Sequence, residues 1–151
     1  MVKPDRVDLG GSIAYRDASM AGYSGTPLPR KLGIKPGHRL LLLGAPDGFA
    51  LEGLPEDVRV VRRASGEADV ILSFETSRAA LERRMAKLRG HMTPACGLWI
   101  AWPKRASRMP TDLTEDVVRE IALDHRLVDN KVAAVDETWS GLRLVIRLRD
   151  R

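Results

Sequence analysis

Cysteine occurs once, at Cys96, which excludes an intrachain disulfide and any metal centre built on paired thiolates. Rings are scarce too: two Phe, two Tyr and three Trp in 151 residues leave few surfaces on which bases stack. The 25 Lys and Arg outnumber the 20 Asp and Glu to give a formal charge of +5, but they are scattered rather than gathered in a tail. That balance permits contact with phosphates, and nucleic acid is not expected as a partner. No apolar run reaches the length needed to span a bilayer, and charges and glycines occupy the N-terminus where a signal peptide has an apolar stretch. A cytoplasmic chain with no membrane partner is the expectation.

Chemistry-bearing constellations are equally thin. His38, His91 and His125 share no spacing that would gather them on a metal, and no metal is expected. Cys96 opens an apolar segment with no adjacent histidine, the setting of an inert core thiol. Ser24 and Ser140 lie near glycines but outside the GxSxG context of a nucleophile elbow, so no catalytic residue is assigned.

What the chain does contain is apolar strands. With 44% hydrophobic and 30% charged residues it reads as one globular domain over 20–151, behind a leader at 1–19 too polar to order; Met20 is an alternative start. RLLLLGAPDGF at 39–49 runs four leucines without polar alternation into a glycine turn, as in a strand covered on both faces. Pro27 and Pro29 open a short helix that Gly33 ends. A strand at 58–61 follows the turn, and DVILSF at 69–74 is a further buried strand. Ser77 caps a helix with Leu81, Met85 and Leu88 inward, closed by Gly90. The strand at 96–102 enters through a turn at Pro94. Asp112 and Glu115 have capping-box spacing ahead of a helix that buries Leu113, Val117 and Ile121. Strands at 131–138 and 142–148 flank Trp139, Ser140 and Gly141 as a hairpin, with Leu142, Leu144, Ile146 and Leu148 inward.

LGIKPGHRLLLLGAPDGF, ADVILSF, TPACGLWIAWPK and the closing hairpin together resemble the core of a class I S-adenosylmethionine (SAM)-dependent methyltransferase over residues 32–148. AGYSGTPLPRKLGIKPGH, WIAWPK and PTDLTEDVVRE resemble a family of small, uncharacterised bacterial proteins that bears a domain-of-unknown-function number, three thousand and fifty-two. The resemblance implies a Rossmann-like α/β fold: a mostly parallel sheet with a C-terminal antiparallel hairpin and helices on both faces. Two positions depart from working methyltransferases. Pro46 interrupts the glycine turn, and Arg62 and Arg63 stand where a ribose-binding carboxylate is implied.

Those departures lead to the expectation of a non-catalytic methyltransferase-like module that binds a small anionic or nucleotide-like ligand, or a protein partner. No cofactor is expected, SAM being disfavoured. The alternatives are a SAM-dependent methyltransferase with a modified cofactor pocket, and an interaction protein forming a homodimer through its terminal hairpin. The expected ligand site joins Gly44, Asp47 and Gly48 of the turn to Lys104, Arg105, Arg108, Thr111 and Thr114, where loop cations meet a helix N-terminus. Glu75 and Asp112 would rim the same crevice.

Overall fold

Leu40, Leu41 and Leu42 are all buried in β1 (Arg39–Leu43), and their side chains divide between two cores, as the period of two demands. β1 pairs in parallel with β2 (Arg59–Val61) on one side and β3 (Ala68–Phe74) on the other. β4 (Met92–Pro103) continues the parallel set. β5 (Leu127–Ala134) and β6 (Trp139–Ile146) form the antiparallel end, giving the order β2-β1-β3-β4-β6-β5. This computed structural model describes residues 25–151; the expected leader at 1–19 and the start at Met20 lie outside the described residues. Of the hairpin strands it is β5, not the last strand, that lies at the sheet edge.

α2 (Arg78–Gly90) and α3 (Glu115–Leu123) pack Leu81, Met85, Leu88, Val118, Ile121 and Ala122 onto the core that holds Leu41, Ile71, Leu98 and Ile100. The opposite face is covered by the single-turn helix α1 (Leu28–Lys31) and by the loops around it. Leu32, Ile34, Phe49, Leu51 and Leu54 lie there over Leu40, Leu42, Val70, Leu72 and Trp99. Trp99 is fully buried, and its Nε1 donates to the Leu32 carbonyl at 3.0 Å, which anchors this cover to the middle of the sheet. Helices therefore occupy both faces as expected, although one face carries only one turn.

β1 also holds the crossover that leads from β2 to β3. The Arg39 guanidinium donates to the carbonyls of Ser65 and Glu67 at 2.6 and 2.7 Å, and the Arg39 amide donates to Asp69 Oδ2 at 2.8 Å.

Four local expectations are corrected. Pro94 lies inside β4 rather than in a turn before it; the register jumps there, from Ala68 opposite Met92 to Val70 opposite Gly97, and a proline inside such a bulge withdraws no ladder hydrogen bond. Thr114, not Asp112, caps α3 by accepting from the Val117 amide, and the buried stripe is Val118, Ile121 and Ala122, with Val117 at its margin. Trp139, Ser140 and Gly141 are strand residues. The hairpin turns instead at 135–138, where Asp136 Oδ1 accepts from the amides of Thr138 and Trp139 at 2.8 Å each. Leu148 falls beyond β6 in a 3-10 turn and is 80% exposed.

Candidate functional site

The chain leaves β1 toward β2 on one side and returns to β3 on the other, so the sheet reverses its winding between β1 and β3. In open α/β sheets the crevice at the carboxyl ends of those strands is where ligands bind. Gly44 stands at this point with φ +69°, exposed to solvent. A Cβ built on it would lie 3.0 Å from the Phe74 carbonyl oxygen at the end of β3, so only glycine lets the turn run this close to the neighbouring strand. The next residues form a tight turn in which the Phe49 amide donates to the Pro46 carbonyl at 3.1 Å and Gly48 takes φ +83°. Pro46 serves this turn as an acceptor, which its missing N–H does not impair. Asp47 and Gly48 are exposed at the tip. Beneath them Phe49 meets Phe74 edge-on at 4.9 Å, and Phe74 meets Trp139 at 5.0 Å, so an aromatic chain runs from the turn to the hairpin.

Residues expected around this crevice take two other directions. Glu75 is 3% exposed, and its carboxylate accepts from the Ser73 hydroxyl at 2.6 Å and from Arg84 of α2 at 2.8 and 2.9 Å; it is committed to the helical face. The Thr111 hydroxyl donates to the Thr76 carbonyl at 2.6 Å and accepts from the Leu113 amide, while Asp112 accepts from the Arg78 amide at 2.7 Å. Together with Ser77, which accepts from Ala80, they finish the N-terminus of α2. Thr114 caps α3. Arg105 and Arg108 are exposed on and just after the 3-10 turn Arg105–Ser107.

Of the expected cations, Lys104 lines a cleft. That open cleft of about 550 Å³ lies between α1 and the hairpin and is lined by Thr26, Arg30, Lys31, Lys104, Ser140 and residues 131–134. Lys31 Nζ donates to the Ala134 carbonyl at 2.9 Å, and Lys131 Nζ donates to the Lys31 carbonyl at 3.1 Å. Burial, followed by the nearby charges of Lys104 and Lys131, holds the Lys31 ammonium below the ordinary lysine pKa. Sequence reading missed Arg30, Lys31 and Lys131 because they lie roughly 100 positions apart along the chain and show no shared spacing.

Among the described residues no group of His, Cys, Asp and Glu could hold a metal ion. The Cys96 thiol is pushed up to about 12 by burial and then by Asp69, and it is inert at neutral pH. No helix among the described residues is long and apolar enough to cross a membrane.

Comparison with solved structures is informative about this framework. A SAM-dependent methyltransferase from Aquifex aeolicus superposes with TM-score 0.56 and 15% identity, over 80% of this chain and 88% of that one. The chain has the methyltransferase fold. Burkholderia thailandensis 1,6-didemethyltoxoflavin-N1-methyltransferase matches at TM-score 0.52 and 17% identity, over 78% of this chain and 73% of that one. Magnesium protoporphyrin IX methyltransferase from Synechocystis, solved with SAM bound, matches at 0.52 and 7%, over 80% and 74%. No family model matches the chain, and no curated protein sequence matches it. The expectation of a module without a cofactor is thereby corrected: proteins with this methyltransferase fold include one holding SAM, and two atypical side-chain positions are not grounds for setting that cofactor aside.

Proposed function

We propose that the chain is a SAM-dependent methyltransferase with a modified cofactor pocket. The observation that carries this reading is Gly44, whose positive φ and missing Cβ keep an exposed backbone turn against the end of β3 at the point where the sheet reverses. The turn fits the cofactor's need for close backbone approach. The modification lies after β2, where Arg62 and Arg63 are exposed in place of a carboxylate; Asp47, exposed in the glycine turn, is the acidic group this chain offers toward the ribose hydroxyls. When bound, the cofactor supplies an electrophilic methyl group on a sulfonium. The chain's own part is to orient it: the Gly44–Phe49 turn presents backbone, and the Phe49–Phe74–Trp139 chain excludes water beneath it. The motifs at 21–38 and 110–120 support kinship with the small bacterial family, and the single cysteine supports a reducing cytoplasmic location.

Calorimetric titration with SAM and S-adenosylhomocysteine tests the reading. Micromolar affinity, about −8 kcal/mol, is expected, and Gly44→Val should abolish it while circular dichroism remains that of a folded chain. No binding of either compound by about 1 mM, roughly −4 kcal/mol, would overturn the proposal.

A further inference from the structure

We propose that the cleft between α1 and the β5–β6 hairpin binds a small phosphorylated ligand bearing at least two phosphate charges, held by Arg30, Lys31, Lys104 and Lys131. The cations arrive from three separate stretches of chain, α1, the exit of β4 and the edge strand β5, so their meeting is a product of the fold and not of a local basic run. Among the described residues no carboxylate forms an ion pair with Arg30, Lys104 or Lys131; the pairing that Glu75 gives Arg84 and Glu115 gives Arg119 has no counterpart among them here. Like charges gathered in one concavity repel each other, and a polyanion removes that repulsion while it binds. The pKa of Lys31 is depressed first by burial and then by Lys104 and Lys131, and the latter two agree with the crowding seen in the geometry.

The cleft is also held in shape before any ligand arrives. Lys31 reaches across to the Ala134 carbonyl, Lys131 reaches back to the Lys31 carbonyl, and the Lys104 amide donates to the Thr138 carbonyl at 2.7 Å, so both walls are tied to each other. Size and lining decide what sort of phosphate compound fits. A volume of about 550 Å³ suits a metabolite-sized ligand, and Val132, Ala133 and Ala134 offer an apolar floor for its uncharged part; Val132 is 51% exposed. Among the described residues no aromatic side chain lines the cleft for a base to stack on, which favours a small molecule over single-stranded nucleic acid. If the chain is a methyltransferase this ligand is its acceptor, an assignment that rests on the function proposed above; binding itself does not.

The test is titration of the full chain, without SAM, by inorganic phosphate, pyrophosphate and ADP. Pyrophosphate should bind at least about tenfold more tightly than phosphate, because each added charge-assisted hydrogen bond strengthens the complex, and its affinity should fall as salt is raised. Lys131→Gln and Arg30→Gln, both at exposed positions, should each weaken pyrophosphate by roughly fivefold or more, whereas Lys87→Gln on the wet face of α2 should not. Three results would each overturn the proposal: no pyrophosphate binding by several millimolar; an equal loss in Lys87→Gln, which would mark a net-charge effect; or a loss in Arg105→Gln as large as in Lys131→Gln, which would put the anion on the 3-10 turn. A single-stranded oligonucleotide binding more tightly than ADP would overturn it as well. S-adenosylhomocysteine titrated in parallel separates this failure from failure of the methyltransferase reading.

Discussion

Replacing Gly44 and Gly48 separately by alanine divides two reasons for glycine that are usually confounded. Both residues sit in the left-handed region, at φ +69° and +83°, so each substitution holds an L-residue where its Cβ crowds the following carbonyl, a cost of about 1–2 kcal/mol. At Gly48 nothing lies within 4 Å of a built Cβ, and that backbone term is the whole effect. At Gly44 the Cβ also meets the Phe74 carbonyl oxygen at 3.0 Å, and this oxygen belongs to a strand hydrogen-bonded between β1 and β4 that has little room to yield. Overpacking of that kind adds about 1–3 kcal/mol. For a domain of this size 1 kcal/mol lowers the melting midpoint by about 3–5 °C, so Gly48→Ala should lose about 3–10 °C and Gly44→Ala about 6–25 °C. Thermal unfolding by circular dichroism, with urea titration to check that the m-value is constant, measures the difference. Equal losses in the two variants would refute the claim that the turn presses against β3.

Arg84→Met should destabilise the domain by on the order of 2 kcal/mol, and more than Glu75→Gln, because the first leaves a buried carboxylate without its cation whereas the second leaves a half-exposed guanidinium to water; urea unfolding ranks the two. Trp99→Phe should cost about 1–3 kcal/mol by stranding the buried Leu32 carbonyl, and loss of the indole donor should show as faster amide exchange around residues 28–34. The Cys96 thiol is raised from 9.0 to about 12, so the stability it contributes is fully present below pH 9 and is lost as pH climbs toward 12; Cys96→Ala should therefore show a flatter stability profile above pH 9 in chemical denaturation. Labelling of Cys96 by a thiol reagent at pH 7 should proceed no faster than global unfolding, and rapid labelling would contradict its burial.

Elements whose signals are local were legible before any coordinates. Leu40–Leu43 announced a strand covered on both faces by lacking alternation, and Ser77 with Leu81, Met85 and Leu88 placed α2 within a residue of its observed span. Misreadings arose where a residue serves a distant partner. Gly141 looked like a turn residue, yet its missing side chain makes room for Trp99 on β4, whose Cε3 would lie 3.1 Å from a Cβ. Asp112 had the spacing of a cap for the helix that follows it but caps the helix that begins 34 residues earlier. Pro94 signalled a break and lies in a bulge. The turn at Gly44, Asp47 and Gly48 was found from sequence because a strand leads straight into it, whereas Arg30 and Lys131 were not, since only the assembled sheet makes them neighbours. The cofactor expectation went astray by weighing two side-chain positions above the strand order, which is the more durable property of such a fold.

The reciprocal ties between α1 and β5 have a kinetic meaning. Lys31 and Ala134 are 103 positions apart, and Lys131 and Lys31 are 100 apart, so these bonds close a loop that takes in most of the described chain. Loop closure on that scale is entropically late, and nothing short of the completed sheet brings the two ends together. The cleft is thus a property of the finished domain alone: no partly folded species that lacks the hairpin owns it. A compound that settles there has no intermediate to stabilise, so its whole binding free energy falls on the native state and slows global unfolding rather than local fraying.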